Sequence, residues 1–149
     1  MNNNWSQSSF DTAVAEAQKS LDAGGVPVGS ALDLDGAMVA RGHNERVQSG
    51  DPIAHGEMSC LRQAGRLRSY KYTVLYTTLA PCMMCAGTIV QFKIPTVIVG
   101  ENQTFPGELD FMRSHGVEVI VLDDQRCVDL MNEFQARYPE VWAEDIGEL

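Results

Sequence analysis

The sequence predicts an α/β fold built on a mixed sheet with helices on both faces. Two observations carry this. A hairpin pattern near the start, Val28 to Leu34 and Ala37 to Arg41, is joined by the turn pair Asp35-Gly36, a strong signal for antiparallel pairing. Helix-like and strand-like segments then alternate to about residue 122. Strand–helix–strand units of that kind are right-handed crossovers, and they make the later strands parallel.

Taken in order, Phe10, Ala13, Val14, Ala17 and Leu21 recur at helical spacing behind candidate caps Ser8 and Ser9, and Gly24-Gly25 stops that helix. The hairpin follows. Residues Gly42 to Asp51 read as a loop, and Asp51-Pro52 reads as the start of a helix from about Ile53 to Ala64. Tyr72 to Thr77 is a strand. Pro81 opens a helix to about Phe92, Thr96 to Val99 and Val117 to Leu122 are strands, and helices fill Gly107 to Ser114 and Gln125 to Arg137. The stretch Pro139 to Leu149 is acidic and carries Trp142. There are no repeats and no linker-like segment, so residues 1–149 are expected to form a single domain.

Composition narrows the function. A chain of 149 residues buries roughly 70% of its unfolded surface and needs no staples. No apolar run approaches membrane-spanning length. Met1-Asn2-Asn3-Asn4-Trp5 is polar and lacks the basic-then-apolar pattern of a secretory leader, so a cytoplasmic location is expected. Eleven basic against twenty acidic residues leave a net charge of −9, which repels nucleic acid and membrane surfaces. The local cluster Arg62, Arg66, Arg68 and Lys71 reads as a solvated helix end and loop. The balance favours a small, uncharged substrate.

Two motifs carry the chemistry: His55-Gly56-Glu57 and Pro81-Cys82-Met83-Met84-Cys85. They offer one imidazole and two thiolates, three ligands for a tetrahedral Zn²⁺ with the fourth position open, as in catalytic rather than structural zinc sites. Both fall at helix N-termini, where unpaired N–H groups and the positive dipole end favour thiolate. Glu57, two residues from His55, suits proton transfer from an activated water. A closed structural site would need a fourth ligand, and the spare candidates are poor. Cys60 reads as a core residue, Cys127 has no neighbouring ligand, and His43 and His115 stand alone. Met58, Met83 and Met84 read as packing residues.

With His-x-Glu and Pro-Cys-x-x-Cys together, the pattern is that of the zinc-dependent deaminases, and the chain resembles the cytidine deaminase superfamily. Within it, the chain is similar to the fungal-type cytosine deaminases along nearly its whole length. The resemblance runs from Gly24-Gly25-Val26-Pro27 through Arg41-Gly42-His43-Asn44, Leu75-Tyr76-Thr77-Thr78-Leu79 and Val99-Gly100-Glu101-Asn102 to Trp142-Ala143-Glu144-Asp145-Ile146-Gly147-Glu148. It implies a three-layer α/β/α sandwich with a five-stranded mixed sheet, a homodimer and a place in pyrimidine salvage. It also implies zinc on His55, Cys82 and Cys85, one ion per chain, with Glu57 as proton shuttle. Asn44 and the Gly56 N–H would meet the polar edge of a pyrimidine, Asp145 would accept from its exocyclic amine, and Phe105 and Trp142 would wall the ring. On residue type alone these read differently: Asn44 as a turn former, Phe105 as core, and Asp145 and Trp142 as charge and anchor of an acidic tail.

Two departures stand out. Ala80 precedes Pro81 where the fungal enzymes carry Ser, and Asp51-Pro52-Ile53-Ala54 is similar to guanine deaminases and tRNA adenosine deaminases. The expectation is therefore hydrolytic deamination of free cytosine to uracil and ammonia. The alternatives are a deaminase of another base or aminoheterocycle (guanine, a pterin-like ring), a tRNA adenosine deaminase, which needs a basic groove, or a non-catalytic zinc-binding module.

Overall fold

The computed structural model describes residues 4–149; the polar residues Met1 to Asn3 lie outside the described residues. Helix α1 spans Gln7–Asp22 and buries Phe10, Ala13, Ala17 and Leu21. Its cap is Ser6, whose hydroxyl accepts from the Ser9 N–H, rather than Ser8 or Ser9. The Ser9 hydroxyl donates instead to Asp33 Oδ1, and the Tyr76 hydroxyl donates to Asp33 Oδ2, both at 2.7 Å. The same Tyr76 oxygen accepts the Ser6 N–H. This buried network pins the start of α1 to the sheet. Burial, and then the Asp33 carboxylate, raise the Tyr76 pKa and keep the phenol protonated.

Strands β1 (Gly29–Leu34) and β2 (Ala37–His43) form the predicted hairpin. Asp35 and Gly36 both take positive φ, 53° and 81°, the two-residue turn that matches strand twist. Next come α2 (Arg46–Ser49), α3 (Gly56–Ala64), β3 (Thr73–Thr77), α4 (Met83–Phe92), β4 (Thr96–Val99), α5 (Leu109–Ser114), β5 (Glu118–Val121), α6 (Gln125–Arg137) and α7 (Pro139–Asp145). The helix expected from Ile53 begins only at Gly56. Asp51 Oδ1 accepts the Ile53 N–H at 2.9 Å, and this Asx turn satisfies the backbone without a helix. The expected loop after Gly42 holds the short α2, and the acidic tail folds as α7 with Pro139 in its first turn.

The five-stranded sheet has the order β2-β1-β3-β4-β5. Strand β1 runs antiparallel to β2 and β3, whereas β3, β4 and β5 are parallel. The strand period of two sorts side chains between the faces. Leu32, Leu75, Val97 and Val99 pack under α3, α4 and α5; Ala31, Val74, Tyr76 and Ile98 pack under α1 and α6. The result is the expected three-layer α/β/α sandwich. A third apolar cluster joins Ala17, Leu21, Val28, Leu79, Phe134 and Trp142, which seats α7 beside the ends of β1 and β3. Among the described residues no helix is long and apolar enough to cross a membrane.

Candidate active site and metal centre

The N-termini of α3 and α4 meet beside the carboxyl end of β3. His55 and Cys82 are the N-cap residues of these helices, with extended backbones (ψ 162° and 178°), and neither side chain caps its helix. Both are turned toward each other instead. Cys82 Sγ lies 3.5 Å and Cys85 Sγ 3.7 Å from His55 Nδ1. A tetrahedral zinc with bonds of about 2.0–2.1 Å to nitrogen and about 2.3 Å to sulfur requires N···S separations of about 3.6 Å. The three donors therefore stand at the edges of a zinc polyhedron, and they are the group of His, Cys, Asp and Glu residues, among those described, that can hold an ion.

The electrostatics fit a cation there. Hydrogen bonds from Cys85, and after them from His55, pull the Cys82 thiol down to about 4, against the opposing effect of burial. Cys85 is pushed well up, first by its hydrogen bond to Cys82 and then by burial. Without metal the two thus share one thiolate; an ion between them favours loss of the second proton as well. Glu57 is 3% exposed. Burial, followed by the charge on Cys82, lifts its pKa to about 7, in the range where a proton carrier works in both directions near neutrality. A bound cation acts the other way and favours the carboxylate.

Gly56 begins α3 flush against β1: a Cβ there would sit 2.7 Å from the Val28 carbonyl oxygen. This close approach brings the first turn of α3, with Glu57, into the pocket floor. As a first-turn N–H, that of Gly56 has no intrahelical partner.

A cavity of ≈ 190 Å³ opens over these groups, smaller than the roughly 300–1,000 Å³ of sites for drug-sized ligands. His55, Glu57 and Cys82 line it together with Asn44, Phe105, Trp142 and Asp145. Every side chain that the sequence nominates thus reaches one cavity, except Cys85, which is buried beneath it. Asn44 is 2% exposed. Its backbone carbonyl accepts from Ser20 and Gln48, its backbone N–H donates to Val28, and its Oδ1 accepts the Arg46 N–H. What it offers a ligand is the Nδ2 donor. Phe105 and Trp142 meet edge to face, with centroids 6.3 Å apart, and form an apolar corner. Asp145 Oδ1 is buried without a hydrogen-bond partner, 3.4 Å from Arg46 Nε and 4.0 Å from His55 Nε2. Burial raises the Asp145 pKa, opposed by His55 and Arg46.

Val28, Leu79 and Ile146 also line the cavity, and the sequence singles out none of them individually, since apolar residues carry no chemical signature. Ala80, singled out in the sequence for its place before Pro81, lines it too. The residues set aside as ligands stay aside. Cys60 and Cys127 are core. His115 lies against Phe111, its ring tilted by 52° with centroids 4.7 Å apart. His43 is not a loner: its Nδ1 meets the buried Glu16 carboxylate at 2.7 Å. Met83, read as packing, is 53% exposed.

Comparison with known proteins places this geometry. The chain is 45% identical over 142 residues to the cytosine deaminase of Candida albicans, covering 93% of this chain and 95% of that one. A solved structure from work on A-to-I editing by tRNA:A34 deaminases superimposes with a TM-score of 0.72 at 26% identity, covering 84% of this chain and 99% of that one. The guanine deaminase of Bacillus subtilis does so with a TM-score of 0.60 at 29% identity, covering 79% and 73% of the two chains. The profile of the cytidine and deoxycytidylate deaminase zinc-binding region matches residues 3–101. That stretch takes in both helices that meet at the metal centre, and the chain belongs to the cytidine and deoxycytidylate deaminase family of zinc-binding enzymes.

Proposed function

We propose that the chain is a hydrolytic deaminase of the free base cytosine, with residues 1–149 acting as one zinc-dependent deaminase domain. The observation that carries this reading is the placement of α7. The family-wide match ends at residue 101, yet Trp142, Asp145 and Ile146 complete the cavity over the metal centre. The alignment to the Candida cytosine deaminase spans 142 residues, far beyond the zinc region. A cavity of ≈ 190 Å³ with one amide donor, one carboxylate acceptor and two aromatic walls suits a single uncharged ring.

In this reading His55, Cys82 and Cys85 hold one zinc ion, which supplies a Lewis acid and an acidified water. Asn44 Nδ2 and the Gly56 N–H bind the pyrimidine's polar edge, Asp145 accepts from the exocyclic amine, and Phe105 and Trp142 hold the ring plane. Glu57 takes a proton from the attacking water and delivers it to ring N3, which leaves C4 more electrophilic. The C4–O bond forms, Glu57 moves the remaining proton of the new C4 hydroxyl to the amine, and the C4–N bond breaks to release ammonia and leave the C4 carbonyl of uracil.

A homodimer in the cytoplasm, serving pyrimidine salvage, belongs to the same proposal. A partly apolar groove between α3 and α4, lined by Met58, Leu61, Tyr70 and Phe92 among others, supports the dimer, and light scattering tests it. Ammonia release from cytosine, guanine, a pterin and a tRNA anticodon stem-loop tests the substrate. Cytosine is expected to lead by kcat/KM; guanine or the stem-loop ahead of it overturns the assignment.

A further inference from the structure

Helix α7 lines the cavity, and outside its apolar packing few polar ties hold it there. Its apolar side contributes Trp142 and, just beyond the helix, Ile146 to the cluster with Val28 and Leu79. Among the described residues, one hydrogen bond joins Pro139–Leu149 to the part of the chain before α6: Arg46 Nη1 donates to Glu144 Oε2 at 2.6 Å across 98 positions. The same guanidinium presents Nε to Asp145 Oδ1 at 3.4 Å. Arg46 is thus a fork on two successive carboxylates of α7.

Arg46 is also fixed at its base. Its backbone N–H donates to Asn44 Oδ1 at 2.9 Å, so the residue that grips the tail is tied to a residue that lines the cavity. Its side chain is 17% exposed, Glu144 52% and Asp145 9%. One arm of the fork is open to solvent and the other is sheltered.

We propose that Arg46 is a positioning residue whose guanidinium holds α7 closed over the cavity and so sets the affinity for the base. The proposal rests on the assignment of the cavity as the substrate site. A closed complex stabilised by the fork loses affinity by the factor by which the closed state is disfavoured when the fork is cut. Once the base is seated, its own contacts with the tail keep the reacting groups in place. The signature is therefore in KM, with kcat held.

The test compares Arg46→Ala, Arg46→Lys and Glu144→Gln with the parent as zinc-loaded enzymes. Arg46→Ala is expected to raise KM for cytosine about tenfold, the equivalent of one charge-assisted hydrogen bond, with kcat within about threefold. Arg46→Lys keeps the charge without the fork and falls between. Glu144→Gln, which leaves every cavity group in place, raises KM in the same direction. Because one arm is exposed, about 0.5 M salt raises the parent's KM by screening but leaves that of Arg46→Ala flat. In a Trp5→Phe background, acrylamide quenching of Trp142 increases when Arg46 is removed, whatever the substrate proves to be.

Unchanged KM in both Arg46→Ala and Glu144→Gln overturns the proposal. So does a fall in kcat alone, which would place Arg46 in the chemistry. If Arg46→Ala does not fold, Glu144→Gln decides. If cytosine is not turned over at all, the substrate assignment fails while Trp142 quenching still decides the fork: no increase rejects it.

Discussion

Glu57 is a carboxylate enclosed by an imidazole, two thiols and a protein wall, and that enclosure sets its use. Glu57→Ala should fold and keep its zinc while losing about 10²–10⁴-fold or more in kcat, since one group moves several protons. Metal content and turnover on the same sample check this; zinc lost with activity recasts the residue as a ligand or fold element. Glu16 shows the opposite electrostatics. Burial pushes its pKa up, but hydrogen bonds from Lys19 and His43 outweigh that and hold it below the ordinary 4.5. As pH falls, the unfolded chain takes up the proton first. The stability gained is therefore full above about 4.5 and drains away as pH drops through the lower folded-state value. Glu16→Gln should be less stable than the parent at pH 7 by about 1–3 kcal/mol and approach it near pH 3. Urea melts across that range test it; a gap constant with pH would sink it. The metal ligands and Glu57 were legible in the sequence because they fall in two short motifs, His-x-Glu and Pro-Cys-x-x-Cys, whose residue types together point to one chemistry. The Glu16–His43 and Arg46–Glu144 pairs, 27 and 98 positions apart, were not, because no pattern of residue types couples one member to the other.

At the scale of elements, α7 supplies cavity wall while the starts of α3 and α4 supply His55, Glu57 and Cys82, and in the proposed reading the first selects the base and the second two carry out the reaction. Removing residues 139–149 should abolish cytosine turnover and leave zinc bound, because the tail supplies cavity wall and no ligand. In the proposed reading the intact enzyme should prefer cytosine strongly over cytidine, because a cavity of ≈ 190 Å³ walled by Trp142 and Ile146 is small for a base that carries a ribose. Kinetics with both compounds on both proteins decide; cytidine used equally well by the intact chain reopens the assignment. Trp142→Ala, which removes the wall alone, should raise KM with zinc retained. Strand periodicity and the Asp35-Gly36 turn made the sheet readable, and Gln125–Arg137 matches the expected helix end for end. The start of α3 was misread because Asp51-Pro52 signals a helix start and an Asx turn alike, and only the Ile53 N–H geometry separates them. The helical nature of the tail escaped because a seven-residue acidic segment has too few apolar repeats to show a period.

For the whole molecule, metal and fold are one equilibrium. The three donors come from two helices that the sheet holds together, so ligand binding energy is also folding energy. Purified protein should carry about one zinc per chain. Chelation should lower Tm, and Cys82→Ala should lose metal and stability together; full zinc in that variant refutes the ligand set. With a net charge of −9, polyanion binding should be weak at physiological salt. Tight, steeply salt-dependent RNA binding would instead revive a tRNA substrate. The mixed sheet and its two helical faces were legible from the order of the segments, whereas the single cavity was not. It assembles from the residue before β1, the turn before α2, the starts of α3 and α4, the loops after β3 and β4 and the last helix, and no periodicity links those places.

The sheet order β2-β1-β3-β4-β5 bears on how the molecule emerges from the ribosome. After the first hairpin, β3 joins the free edge of β1, β4 that of β3 and β5 that of β4, and none has to wedge between two already paired. A nascent chain can therefore grow its sheet in the order in which it is translated. The zinc ligands are all out by residue 85, while the last wall of the pocket waits for Trp142 and Asp145. Stalled chains with residues up to about Leu122 exposed should capture zinc but not the base, so that the newborn enzyme holds its metal before it can hold its substrate.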